Sequence, residues 1–490
     1  MDIKSSPAVN IKLIQGLSLI SQKEFNEFVF FSTSKYFSGQ RSYSGILKIL
    51  KGLHKSNFKG HSNKSILELL MKDLNLSKNT LQNRLSELYK IFEMFIVIRQ
   101  LKFLPIDRNK ILMNYYSEKN SFRLFEYVYN SSTESLKKEK ISSRKIRSEF
   151  LLYELSSVKL FLQGKSRSFT EHFSLKSEFH IYGFLLDLLK NCIELQQQRF
   201  MGSDQNTLLP IITLKNLPVN EILEKLKKTD PEYCDLIRIF YEMYLSFEDY
   251  SADLHFKNAV GIHKKIKSSL THDDNQFIYL LFITYCINQT HFNKPGFYKQ
   301  LFSIIRQKLK DGYFIELTEY NFPVNNFRDY VFIGLRVGEI EWVRSFIKDY
   351  SKYLPSDYRK DNILIAEAMI AAEERKFEDA LILLNKVTRK NYLHYTDSSF
   401  QKLRAYYELK HYVDALTEIE RIKKYFKTNK NIPSIFLKKY SPYLKDIEIL
   451  FKFSEGKIDR NDFNLYFKKP GKISGDNWVG KTVNKILKNN

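Results

Sequence analysis

The sequence predicts an all-α protein, an N-terminal helical module followed by tandem helical hairpins, and three observations carry that prediction. Gly is 17 and Pro is 11 of 490 residues, both well below ordinary usage. A β-rich or α/β chain of this length needs many more turn residues, so the scarcity points to long helices and short connections. Apolar residues recur at helical rather than strand spacing, as in Leu81, Leu85, Leu88, Ile91, Phe92 and Phe95. Finally, one stretch is written twice. ILIAEAMIAAEERKFEDALILLNKV runs from Ile363 to Val387, and SFQKLRAYYELKHYVDALTEIERI from Ser399 to Ile422.

Phe377 pairs with Tyr412, Ala380 with Ala415 and Leu381 with Leu416, each 35 residues apart. A period of roughly 34 residues with an aromatic, two variable positions, a small Ala and an aliphatic is the tetratricopeptide signature. Two helices approach closely only where a side chain is small, and the aromatic wedges into the neighbouring helix. One pair alone cannot bury its apolar face, so the pairs are expected to stack as a TPR-like α-solenoid.

Taken in order, residues 1–130 read as the N-terminal helical module. Ile11, Leu13, Ile14 and Leu17 mark a first helix. Ser21 and Glu24 have capping-box spacing ahead of Phe25, Phe28, Val29 and Phe31. Ser32 to Ser44 is rich in Ser and Gly and reads as a loop; Ile46 to Leu53 and Ser65 to Leu74 read as helices. Ser77 to Leu101 is a long periodic helix that Pro105 is expected to stop. The pair Ile66–Leu74 and Thr80–Phe95 could be a helix-turn-helix, but Lys78, Gln82, Arg84 and Lys90 make only a modestly basic face, and an ordinary hairpin is the preferred reading. The order EFNEFVFFSTSKYF, a Leu-rich helix, LQNRLSELYKIFEMF and the later NFRDYVFIGLRVGEIEWVRSFIKDYSKYLP resembles a family of bacterial helical-repeat proteins. Those open on an aromatic-rich helical module and continue into tetratricopeptide-like repeats. The resemblance implies a fold and carries no activity with it.

Residues 131–230 read as a helical connecting region. Ser131 to Arg147 is basic and could be a nucleic-acid patch, but the preferred reading is the exposed start of a helix running into Phe150, Leu151 and Leu155; Phe179 to Arg199 is another helix. Met201 to Asn206 reads as a polar loop and Pro210 to Pro218 as a linker or short turn. Repeats are expected over 231–454, with Pro231 in a first helical turn. Phe256, Phe297, Ile340, Phe377 and Tyr412 are the equivalent positions, and Val343 takes the small-residue slot beside Trp342. Asn431 to Phe453 reads as a capping helix interrupted at Pro442, and 455–490 as a loosely ordered, basic polar tail.

Lys plus Arg is 78 against 55 acids, a formal charge of +23, which favours acidic partners. Cys192, Cys234 and Cys286 are scattered without disulfide or metal spacing, as in a reducing compartment. Met1 to Ser21 carries only a short apolar run, so no secretory signal is expected, and no run reaches the roughly 20 residues of a spanning helix. The expected location is therefore cytoplasmic. The histidines form no His-Glu-x-x-His motif and no Cys–His cluster, and no Gly-x-Ser-x-Gly elbow exists, so no enzyme, metal or cofactor is expected. GDNWVGKT, Gly475 to Thr482, matches the phosphate-loop pattern. It lacks the preceding strand that the mechanism requires, so it reads as a chance match.

The richest chemical feature is Arg421 to Lys445, with no acid inside it. Lys423, Lys424, Lys427, Lys438, Lys439 and Tyr440 are the candidate binding residues, with Tyr425, Phe426, Phe436 and Tyr443 interleaved. Cations beside aromatics can hold phosphates and stack bases. The bland alternative turns the aromatics inward and the lysines to water. The expected function is a non-enzymatic scaffold binding a protein or peptide partner; the alternative is a nucleic-acid-binding or ribosome-associated protein.

Overall fold

The computed structural model describes residues 12–39, 41–200, 208–291, 296–315, 321–388, 391–468 and 478–488. Among these, every regular element is a helix. The chain forms two compact units, Met1–Leu185 and Leu186–Asn490.

In the first unit, helix Gln22–Thr33 begins at the capping box. The Glu24 N–H donates to Ser21 Oγ at 3.3 Å and the Ser21 N–H to the Glu24 carboxylate at 2.5 Å. Helices Ser44–His54, Asn63–Leu74 and Lys78–Leu101 follow. The apolar period of the last buries Leu81, Leu85, Leu88, Ile91, Phe92 and Phe95 in one core with Phe25 and Phe28. Phe28 meets Phe92 edge to face at 5.2 Å.

Two local expectations fail here. The segment after Ser32 is not a plain loop, because the helix continues to Thr33 and a short helix spans Lys35–Ser38. Ser32 serves the helix by donating to the Val29 carbonyl at 3.0 Å. The long helix ends at Leu101, ahead of Pro105 as expected, and Pro105 also opens Pro105–Glu118, where its missing N–H costs nothing. The basic segment 131–147 is shared between the end of helix Phe122–Lys138 and the start of Ser143–Leu162. Ser142 caps the latter by accepting from the Lys145 N–H at 3.0 Å.

In the second unit, Leu209–Asn216 is a helix where a linker or short turn was expected, with Pro210 in its first turn. Pro231 likewise opens Pro231–Glu248. Helices then pack as consecutive pairs: Pro231–Glu248 with Leu254–Ile266, His272–His291 with Phe297–Lys310, Val324–Arg336 with Ile340–Tyr350, Ser356–Glu373 with Phe377–Asn385, and Tyr392–Glu408 with Tyr412–Thr428. First helices also touch: Val324–Arg336 meets Ser356–Glu373, which meets Tyr392–Glu408.

The last three pairs share one turn. Gly338, Arg375 and Lys410 all adopt left-handed backbone, with φ of 83°, 61° and 60°. The next N–H, of Glu339, Lys376 or His411, returns to the carbonyl of Gly334, Ala371 or Tyr406 at 3.0, 2.8 and 2.8 Å. That bond closes the first helix in a Schellman turn. The second helix then starts at Ile340, Phe377 or Tyr412.

Ala259, Ala380 and Ala415 are fully buried, as close helix approach demands. Val343 is buried in the equivalent slot because the small residue has moved to the facing helix. A Cβ on Gly334 would lie 2.6 Å from a Val343 methyl and 3.1 Å from the Trp342 ring.

The C-terminal segment departs from expectation. Helix Ser434–Ser454 runs unbroken through Pro442. The hydrogen bond lost there is outweighed by burial of Leu444, Ile447, Leu450 and Phe451 in the core of the last hairpin. Beyond it lie helices Arg460–Phe467 and Trp478–Lys488, whose Phe463, Phe467, Val479 and Val483 join the same core. Residues 469–477 of the expected loose tail, and the expected loop Met201 to Asn206, lie outside the described residues.

Candidate binding surfaces

The basic run falls on the end of helix Tyr412–Thr428 and the first half of Ser434–Ser454. Its aromatics face the protein. Tyr425 stacks on Tyr395 at 3.8 Å, Phe436 meets Tyr392 at 5.1 Å, and Tyr443 lies 5.4 Å from Phe400. Tyr440 is half-buried, stacked on Phe436 at 4.2 Å and tilted against Phe400 at 5.8 Å. Burial pushes its hydroxyl pKa up, with nearby Arg328 opposing the shift and Asp397 reinforcing it. Arg328 is itself anchored by two bonds to Asp397, one of them 2.8 Å.

The cations divide into two groups. Lys423 is held by Glu420 at 2.8 Å and Glu448 at 2.9 Å, and Arg421 lies 3.4 Å from Glu418. Lys424, Lys427 and Lys438 are exposed, and none forms an ion pair among the described residues. The side chain of Lys439 lies outside the described residues.

A second surface escaped the sequence reading. Helices Phe297–Lys310 and Ile340–Tyr350 border an open cleft of about 720 Å³. Phe302, Trp342 and Phe346 line it. Trp342 meets Phe302 edge-on at 4.8 Å and lies parallel to Phe346 at 5.2 Å. Lys299, Arg306 and Lys310 line one side, and Glu339 and Asp349 belong to the other. The signal was present in the sequence as Lys299, Arg306 and Lys310 at i, i+7 and i+11, which places them on one helical face. Nothing in the sequence named the helix opposite.

The three thiols are free and buried, and burial raises the Cys192 pKa to about 11. Among the described residues no group of three or more His, Cys, Asp or Glu comes together as a metal site. None of the helices described is long and apolar enough to cross a membrane. Of the phosphate-loop match, Gly475 to Asn477 lie outside the described residues. Trp478 to Thr482 are already helical, Gly480 is buried, and the Thr482 hydroxyl donates to the Trp478 carbonyl at 2.8 Å. Comparison with protein-family models, curated proteins and solved structures finds no match to the chain.

Proposed function

We propose that this chain is a non-enzymatic, cytoplasmic scaffold whose residues 231–454 form a TPR-like α-solenoid that binds a protein or peptide partner. The observation that carries the proposal is the aromatic-lined cleft between the second helices of two successive pairs. Grooves of this kind accept apolar anchors from a partner segment, with surrounding polar groups setting register. The shared turn at Gly338, Arg375 and Lys410 supports repetition as the building rule.

The test is co-purification with the full-length chain, comparing wild type with Ser303→Arg. Ser303 is exposed and lines the cleft, so the substitution fills the groove without touching the core. The expected result is a specific set of proteins retained by wild type and lost from the variant at equal melting temperature. Identical retention by both would refute groove binding. A second reading, binding of nucleic acid, is favoured by the exposed Lys424, Lys427, Lys430 and Lys438.

A further inference from the structure

We infer that the occupant of the cleft between Phe297–Lys310 and Ile340–Tyr350 is an acidic peptide segment carrying one bulky apolar anchor, an assignment that rests on the groove-binding reading above. Lys299, Arg306 and Lys310 stand in one stripe along their helix, because 3.6 residues per turn brings i, i+7 and i+11 back to the same face. At 1.5 Å per residue the stripe spans about 16 Å, the length of about five extended residues. All three are exposed, and none forms an ion pair among the described residues. The Arg306 guanidinium lies 5.7 Å from the Phe302 ring centre, so cation and aromatic floor adjoin.

Some cations of this unit are balanced by acids. Lys265 is 3.1 Å from Asp235, Lys376 is 2.9 Å from Glu374, and Lys452 is 2.8 Å from Glu448. Other exposed lysines, Lys424 and Lys427 among them, form no ion pair among the described residues either; what sets the stripe apart is that three such cations share one helical face beside an aromatic floor, and an acidic ligand complements that arrangement. Glu339 and Asp349 mark the two ends of the opposite helix. They would repel a continuous phosphodiester backbone, whereas a peptide can place neutral or basic residues there. The rigid base is Trp342, seated on Phe346 and close above Gly334, which suits one Leu, Phe or Met side chain.

An array of random dodecapeptides probed with the full-length chain tests this. Trp342 and Trp478 are the only tryptophans, so Trp478→Phe leaves a single reporter in the cleft. Bound peptides should be rich in Asp and Glu around one large apolar residue, and adding the best of them should shift Trp342 emission. Arg306→Glu should weaken their binding by about tenfold or more at unchanged melting temperature. Neutral or basic peptides bound in a manner blocked by Ser303→Arg would overturn the acidic assignment and leave groove binding standing. No peptide blocked by that substitution would overturn both. A single-stranded homopolymeric RNA that displaces the peptides and binds more tightly would overturn the assignment in favour of nucleic acid.

Discussion

Arg375 and Lys410 hold left-handed backbone where Gly338 does the same job in the neighbouring pair. An L-residue there costs about 1–2 kcal/mol, while Gly adds an entropy cost of about 0.5–1 kcal/mol. Arg375→Gly and Lys410→Gly are therefore expected to raise stability by roughly 0.5–1 kcal/mol each, read as a higher urea midpoint. Gly338→Ala should lower it by a similar amount. If all three changes are neutral, the turn is not what closes these helices. Ala380 and Ala415 present the opposite constraint, since each is buried where two helices cross. Replacing either by Leu should cost roughly 1–3 kcal/mol, and an unchanged melting temperature for both would break the equivalence of the two repeats.

Between elements, Asp311 is the busiest junction. It follows helix Phe297–Lys310 and accepts from Lys267 at 2.8 and 2.9 Å, from the Tyr279 hydroxyl at 2.7 Å and from Gln307 at 2.8 Å. It thus ties the end of one pair to both helices of the next. Burial alone would raise the Asp311 pKa, but these bonds and the Lys267 charge win and hold it below the ordinary 3.8. A depressed folded-state value means that the unfolded chain takes up the proton first. The stabilisation is present above the ordinary value and is lost as pH falls through the folded one. Asp311→Asn should cost roughly 1–3 kcal/mol at neutral pH, and its deficit against wild type should shrink below about pH 4. A deficit that stays constant into acid would mean that charge plays no part. Such junctions were invisible in the sequence, because Lys267, Tyr279 and Asp311 share no spacing rule. What could be read was local: the Ser21 cap, the period of Lys78–Leu101 and the Ala slots. What was misread depended on distant burial. Pro442 sits within a helix and Phe463 finds a core because residues far along the chain cover them.

For the whole molecule, the open question is whether a formal charge of +23 acts on anything. The geometry sharpens the test on Arg421 to Lys445. With Tyr425, Phe436, Tyr440 and Tyr443 packed inward, the run offers phosphates its lysines and offers bases little to stack on. Binding of single-stranded RNA, if it occurs there, should be sequence-tolerant and should weaken with a log–log salt slope of about −0.7 per phosphate contact. Changing Lys424, Lys427, Lys430 and Lys438 together to Glu should abolish it, since all four are exposed and unpaired among the described residues. Lys423 is the wrong residue to change, because Glu420 and Glu448 already hold it. Tyr440→Ala should lower the melting temperature by emptying the space between Phe436 and Phe400, and leave RNA affinity unchanged. Loss of affinity by about 1–3 kcal/mol at constant stability would instead mean that a base stacks on that ring. Filter binding and a melt on the same samples separate the two. Should wild type bind neither RNA nor DNA at low salt, the basic run is a solvated face, and the aromatic-lined cleft remains the surface on which a partner is to be sought.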